Sequence, residues 1–314
     1  MMKRRKVLGA FAAALTTALT RTAVAGDELV ELKGEASRSQ LFQRVIAAKK
    51  AEPSRFAVEP LSLPGNFEFP SNAAYDDGRP RQNSIFGIDI SHYTSADIAL
   101  ERLRQQNVSF VYAKATQGEH NKDGRFGEFY TRLQNLDAGQ RVAKGAYHFL
   151  SSHGDGQSQA DTFCNFVEQY GGFRAGDMPP VMDMEWDVET PDGPDHWQTR
   201  SADEIIATAL AFLNRVQDRT KVVPMIYTAV SWWKDREIAL SQFEKLKAFR
   251  LWIADYSKSS RAVEDPTSFP GSAVNLWQFS SSAKLQLGYD GDVDANIFKG
   301  TTEQFNAMFN TRLP

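Results

Sequence analysis

Residues 142–185 read VAKGAYHFLSSHGDGQSQADTFCNFVEQYGGFRAGDMPPVMDME. The stretch divides into three parts. VAKGAYHFL (142–150) is a short apolar run of strand length. The residues over 156–170, ending in ADTFCNFVEQY, carry an apolar pattern at helical spacing. PVMDME (180–185) is a second short apolar run. A strand, an amphipathic helix and a second strand make the unit from which parallel sheets are built.

Working outward, the same alternation runs from residue 85 to the end of the chain. Further strands are expected at IFGIDI (85–90), SFVYAKA (109–115), VVPMIYT (222–228), LWIADY (251–256) and VNLWQF (274–279), with an eighth at DVD (292–294). Helices are expected at about 96–107, 126–138, 201–218 and 240–249, and TTEQFNAMFNTRL closes the chain. Seven or eight such units predict an α/β fold, a TIM-like (β/α) barrel with room for irregularity, over residues 85–314. Residues 26–84 read as an N-terminal extension. SRSQLFQRVIAAKKA (37–51) predicts a short amphipathic helix, and the Pro-, Gly- and Asn-rich stretch over 53–83 reads as extended linker.

The first residues differ again. Lys3, Arg4, Arg5 and Lys6 precede the apolar run VLGAFAAALTTALT, and Ala23-Val24-Ala25 gives a small-x-small cleavage pattern. Residues 1–25 are therefore expected to be a signal peptide. Its apolar run is shorter than the ~20 residues a membrane-spanning helix needs, so no stable membrane span is expected after cleavage. The general secretory and twin-arginine routes both fit, the second through Arg4-Arg5. The expected destination is the periplasm or the exterior.

The chain has 314 residues, 42% hydrophobic and 24% charged, with a formal net charge of -3. That composition is globular, and the charge argues against nucleic acid as the partner. The single cysteine, Cys164, has no partner for an intrachain disulfide and sits in a helical apolar pattern, which predicts a buried structural thiol. There is no EF-hand spacing and no His/Cys ligand cluster, so neither a metal nor a cofactor is expected. A monomer is expected.

Several expected strands end in polar residues: Asp89 and Ser91; Lys114, Thr116 and Gln117; Tyr147 and His148; Asp183 and Glu185; Asp255 and Tyr256; Trp277 and Gln278. In a parallel barrel the strand C-termini open on one face, and the active site lies there. Asp183 and Glu185 are two apart on one strand and share a face, while Met182 and Met184 turn the other way. Two neighbouring carboxyl groups cannot both ionise freely, so one holds a proton while the other stays charged. Glycosidic cleavage needs that division, an acid for the leaving oxygen and an anion for the cationic centre. The pair alone leaves a solvated strand end or a cation site open.

The order FGIDIS, FVYAKATQG, GAYHFL, QAxxF (Gln159, Ala160, Phe163), PPVMDMEW, LWIADY, LWQFSS and VDANIF resembles the family 25 glycoside hydrolases, the Chalaropsis-type lysozymes. The resemblance covers about residues 85–300. It implies an N-acetylmuramidase that cuts the β-1,4 bond between N-acetylmuramic acid and N-acetylglucosamine in peptidoglycan glycan strands, with retention. It implies Glu185 as general acid/base and Asp183 as the carboxylate at the reacting centre, either as nucleophile or as stabiliser of a substrate-assisted step. Asp89 and Asp294 match the family's other two acids. Tyr147 and His148 match cleft residues, and Trp252, Tyr256, Trp277 and Gln278 match a sugar-stacking wall with its hydrogen-bonding support. Two rivals stay open. A chitinase-like enzyme would carry a longer D-x-x-D-x-D-x-E run, but Val181 and Pro179 stand where its upstream acids belong. A non-catalytic wall-binding barrel would have lost an acid, and all four are present.

Overall fold

Eight apolar runs become strands that close on one another: β1 (Ser84–Ile90), β2 (Val108–Gln117), β3 (Ala143–Phe149), β4 (Val181–Met184), β5 (Met225–Thr228), β6 (Arg250–Ala254), β7 (Val274–Lys284) and β8 (Asp292–Lys299). The computed structural model describes residues 75–76, 79–80, 83–190, 193–256 and 265–313. The expected signal peptide and the helix over 37–51 lie outside the described residues. Of the extension, a two-residue pairing of Tyr75–Asp76 with Arg79–Pro80 is described.

Each strand pairs with the next from β1 through β7 in parallel, and β8 pairs antiparallel with both β7 and β1. The result is a closed eight-stranded mixed barrel. The expected TIM-like barrel is thus irregular at its last strand, which runs antiparallel. The segment expected as DVD is eight residues long and forms a hairpin with β7. Sequence patterning reports which residues alternate, and an antiparallel strand alternates as a parallel one does.

Period two along each strand divides inside from outside. Gly87, Asp89, Tyr112, Gly145, Tyr227, Trp252 and Asn296 fall on the inner face by register. Two glycines make room for the large rings that fill the barrel. A Cβ on Gly87 would lie 2.3 Å from the Phe110 ring, and one on Gly145 would lie 2.3 Å from the Tyr112 ring. Tyr112 in turn packs on Trp252, with ring centroids 4.9 Å apart. These rings make the interior a packed core below the mouth.

The connecting helices are α1 (Phe126–Gln134), α2 (Gly156–Gln169), α3 (Ala202–Thr220), α4 (Val230–Asp235), α5 (Leu240–Phe243) and α6 (Thr302–Phe309). Their starts follow from local chemistry. The Asp155 side chain accepts the Gln157 and Ser158 N–H groups at the start of α2. Ser201 with Glu204, and Thr301 with Gln304, form capping boxes on α3 and α6. The helix expected at 96–107 is two 3-10 turns, Leu100–Arg102 and Arg104–Gln106, ended by Asn107 at φ 65°. Helix α4 was not expected; its Trp232 and Trp233 are buried. Helix α6 closes the end of the barrel opposite the strand C-termini, where Phe305 meets Phe110 and Phe298. Cys164 is buried as expected, and burial pushes its thiol up to about 11.

Candidate active site

The carboxyl groups of the mouth come from two sides. Asp183 lies on the inner face of β4, between Phe149 of β3 and Tyr227 of β5 in the register. Glu185 follows in the bend just past the end of β4, and its charge reaches the Tyr256 phenol. Both are buried, at 1% and 4% exposure. The end of β4 is held by backbone. Leu150 N donates to Asp183 O at 2.8 Å, and Thr228 Oγ1 donates to Met184 O at 2.6 Å.

The chain after Glu185 is pinned by two further acids that the sequence reading did not single out. Asp187 is fully buried, and its Oδ2 accepts from Ser152 N, Ser152 Oγ and Ser151 Oγ at 2.8, 2.8 and 3.1 Å. Asp195 accepts from Asp187 N, Trp197 N and Trp232 Nε1, and lies 3.3 Å from Arg236 Nε. Burial pushes the Asp195 carboxyl above its usual range, and the Arg236 charge opposes that shift. Their signal in the sequence was spacing: Asp187 continues the alternation Asp183, Glu185.

Opposite, Asp89 and Asp294 face each other across the antiparallel seam of β1 and β8. Because β8 runs backwards, its first residues reach the same mouth as the last residues of β1. Asp89 Oδ1 accepts from Gln278 Nε2 at 2.7 Å and Asn296 Nδ2 at 2.8 Å. Tyr227 OH donates to Gln278 Oε1 at 2.7 Å, and Tyr256 OH donates to the same oxygen. Trp252 Nε1 donates to Asn296 Oδ1 at 2.8 Å. Burial, and the charges of Asp294, Glu185 and Asp89, push the Tyr256 phenol well above its ordinary value. That one hydroxyl therefore lies within the field of three of the four acids. One oxygen on each of Asp89, Asp183, Glu185 and Asp294 is buried without a protein hydrogen bond, although each side chain engages neighbours elsewhere.

Two residues expected around the cleft, His148 and Trp277, face away from it. His148 is fully buried on the helix-facing side of β3, stacked on Phe212 of α3 at 4.7 Å and bonded to Thr116 and Gln159. Burial pushes its imidazole down to about 3, so it is neutral. Trp277 faces outward beside Phe279, its Nε1 donating to Asp255 O at 2.8 Å. Trp252 keeps the inner face, beside Tyr227 in the register as Tyr227 is beside Asp183, and packs against Tyr112 and Tyr227. A strand turns adjacent residues to opposite faces, so Tyr147 and His148, or Trp277 and Gln278, could not both line one cleft. Tyr147 and Gln278 take the inner face.

Other polar residues hold loops at the rim. Asp123 accepts from His92 N and His92 Nδ1, tying down the chain after β1. Asp255 accepts from Thr267 N at 2.7 Å. Lys114 donates to Gln117 at 2.6 Å. Among the described residues no group of three or more His, Cys, Asp or Glu side chains could hold a metal ion. No helix among them is long and apolar enough to cross a membrane.

A buried mouth with four acids on a closed barrel suits acid/base chemistry. Residues 88–286 match the sequence model of the Glycosyl hydrolases family 25. The chain is 31% identical over 231 residues to Lysozyme M1 of Streptomyces globisporus, covering 73% of this chain and 72% of that protein. It is 31% identical over 227 residues to an N,O-diacetylmuramidase of Arthroderma benhamiae, covering 71% and 86%. Among solved structures, a bacterial lysozyme from Streptomyces coelicolor superposes with a TM-score of 0.59 at 29% identity, over 72% of this chain and 97% of that one. A family 25 lysozyme from Aspergillus fumigatus gives 0.56 at 26% identity, over 72% and 99%.

Proposed function

The chain belongs to family 25 of the glycosyl hydrolases, and from that premise we propose how its four acids divide the work of a lysozyme. The enzyme is a muramidase that hydrolyses the β-1,4 bond between N-acetylmuramic acid and N-acetylglucosamine in peptidoglycan. Glu185 protonates the glycosidic oxygen as the bond to the anomeric carbon breaks. It then takes a proton from the water that attacks that carbon. Asp183, on the inner face of β4, meets the positive charge that develops on the ring. The intermediate forms on Asp183 itself or on the substrate's 2-acetamido oxygen, and either route gives net retention.

Asp89 and Asp294 complete the negative mouth from the seam. Tyr147 and Tyr256 supply the rings nearest the sugar, with an apolar face and a polar edge each. The substrate lies outside the cytoplasmic membrane, so the reading includes export through the leader in residues 1–25. A monomer suffices for this scheme, because one chain carries all four acids. No cofactor or metal takes part in the scheme.

The observation that carries this reading is the placement of Asp89 opposite Asp294 across the seam, with the Tyr256 phenol pushed up by burial and by the charges of Asp294, Glu185 and Asp89. The test is Glu185→Gln on purified peptidoglycan. Removing a general acid is expected to cost on the order of 10²–10⁴-fold in kcat with the fold intact. Turnover near wild type would remove Glu185 from its role. Mass spectrometry of the products identifies the bond cut, and NMR of the first-formed anomer tests retention.

A further inference from the structure

Asp89 receives its hydrogen bonds in an unusual way. Two amide donors, Gln278 Nε2 and Asn296 Nδ2, reach the same oxygen, Oδ1. An amide side chain can present either its NH₂ or its oxygen. Two phenols donate to Gln278 Oε1, and the Nε2 end faces the carboxylate of Asp89, which can only accept. An indole N–H, which can only donate, holds Asn296 Oδ1, so the Nδ2 end must face Asp89. The locks lie on β5, β6 and the end of β6, and the amides on β7 and β8. Every member is buried. In such surroundings a reversed amide would leave a buried acceptor facing a carboxylate, which is strongly disfavoured.

We propose that Asn296 and Gln278 are positioning residues that hold Asp89 as a hydrogen-bond acceptor, with Trp252 fixing the sense of the Asn296 amide and Tyr227 and Tyr256 supporting that of Gln278. The donated hydrogen bonds favour the ionised form of Asp89. That keeps a negative charge at the mouth for the reacting sugar or for the attacking water. The assignment of proton traffic to Glu185 then has a structural cause, because the seam carboxyl is biased toward its charged form. The inference rests on the proposed muramidase site, of which Asp89 is a part.

The charged and titratable groups around Asp89 are Asp294 across the seam, Tyr112 beside it on β2 with Lys114 further along that face, Tyr227 through Gln278, and Tyr256 with Glu185 toward the mouth. Asn296→Asp puts a like charge where a donor stood, and Asn296→Ala removes the donor alone. Both changes disfavour the ionised form of Asp89, the first more.

The experiment follows the side-chain carboxyl ¹³C signals of ¹³C-labelled enzyme through a pH titration, with Asp89→Asn assigning the Asp89 signal. In parallel, kcat and KM are measured on purified peptidoglycan. The expected result is an Asp89 midpoint raised by about one pH unit or more in Asn296→Asp and by less in Asn296→Ala. With it, kcat falls at least about tenfold at the pH where Asp89 has gained a proton, while KM changes little. If Asn296→Asp does not fold, Asn296→Ala is read alone, in the same direction. An Asp89 midpoint unmoved in a folded variant overturns the inference. If Asp89→Asn itself keeps wild-type activity, the site reading fails at Asp89. An unmoved midpoint with an inert Asp89→Asn overturns only the role of the amides.

Discussion

On the β4 side of the mouth the chain that carries Asp183 and Glu185 is clamped by charge, whereas on the β8–β1 side Asp89 is clamped by neutral groups. Beyond Glu185, the buried carboxylates of Asp187 and Asp195 collect serine, backbone and indole donors, and Asp195 faces Arg236. Across the mouth, two amides, two phenols and one indole do the holding. The difference follows from what each side must keep. The β4 side ends in a loop, and strong ionic acceptors can gather many backbone donors from it. The seam is already an antiparallel ladder of backbone hydrogen bonds, so it needs only to aim one side chain. Asp294 already stands across the seam from Asp89, and neutral amides add no further charge beside it.

The largest expected effect tests the charged clamp. Arg236→Met leaves the Asp195 carboxylate buried with its counter-charge gone. Breaking a buried pair this way costs about 3–5 kcal/mol, and the imperfect 3.3 Å contact favours the lower end. For a domain of this size that is a drop of roughly 6–12 °C in Tm by calorimetry. The neutral clamp should be weaker. Trp252→Phe removes the donor to Asn296 and part of a buried ring, and is expected to cost about 2 kcal/mol. Equal losses from the two variants would erase the distinction between the clamps. A larger loss from Trp252→Phe would reverse it.

The two sides were also unequally legible in the sequence. Asp183 and Glu185 are two apart in the chain, a local fact that needs no knowledge of the fold. The meeting of Asp89 with Asp294 depends on the antiparallel register of β1 and β8, which joins residues far apart in the chain. Alternation marks β8 as a strand but carries no sign of its direction. Ser280 and Ser281, polar yet buried in β7, hid the extension of that strand past Phe279. Helix α4 was hidden for the opposite reason, since TAVSWW is apolar and aromatic and reads as the end of a strand. Tyr227 and Asn296 went unnoticed although each obeys the same period as a recognised neighbour: Tyr227 stands beside Asp183 in the register, and Asn296 lies two residues beyond Asp294. His148 and Trp277 show the converse. Motif likeness put them in the cleft, and the two-residue period already assigned them to the other face.

His148 gives the smallest effect and links it to the β4 side alone. Its imidazole bonds to Gln159, and Gln159 in turn accepts from Ser151 N and donates to Ser151 O. Ser151 Oγ donates to Asp187, so the neutral histidine is the outermost member of the charged clamp. In the folded protein its value is pushed down to about 3, against an ordinary value of 6.5. Below 6.5 the unfolded chain therefore takes up a proton that the folded chain refuses. The stability this group contributes is present above 6.5 and lost as pH falls, at a limiting rate of about 1.4 kcal/mol per unit, down to the folded value. Between pH 6.5 and 5.5 the loss is about 1 kcal/mol. His148→Gln should be less stable at pH 7.5, because the ring stack on Phe212 is lost. Its stability should nevertheless fall less steeply over that window, while Trp252→Phe should keep the wild-type slope. Urea melts of the three proteins at pH 7.5, 6.5 and 5.5 measure those slopes. Parallel slopes for wild type and His148→Gln would sever the histidine from the clamp. A flattened slope in Trp252→Phe would mean that the seam is not the pH-indifferent side.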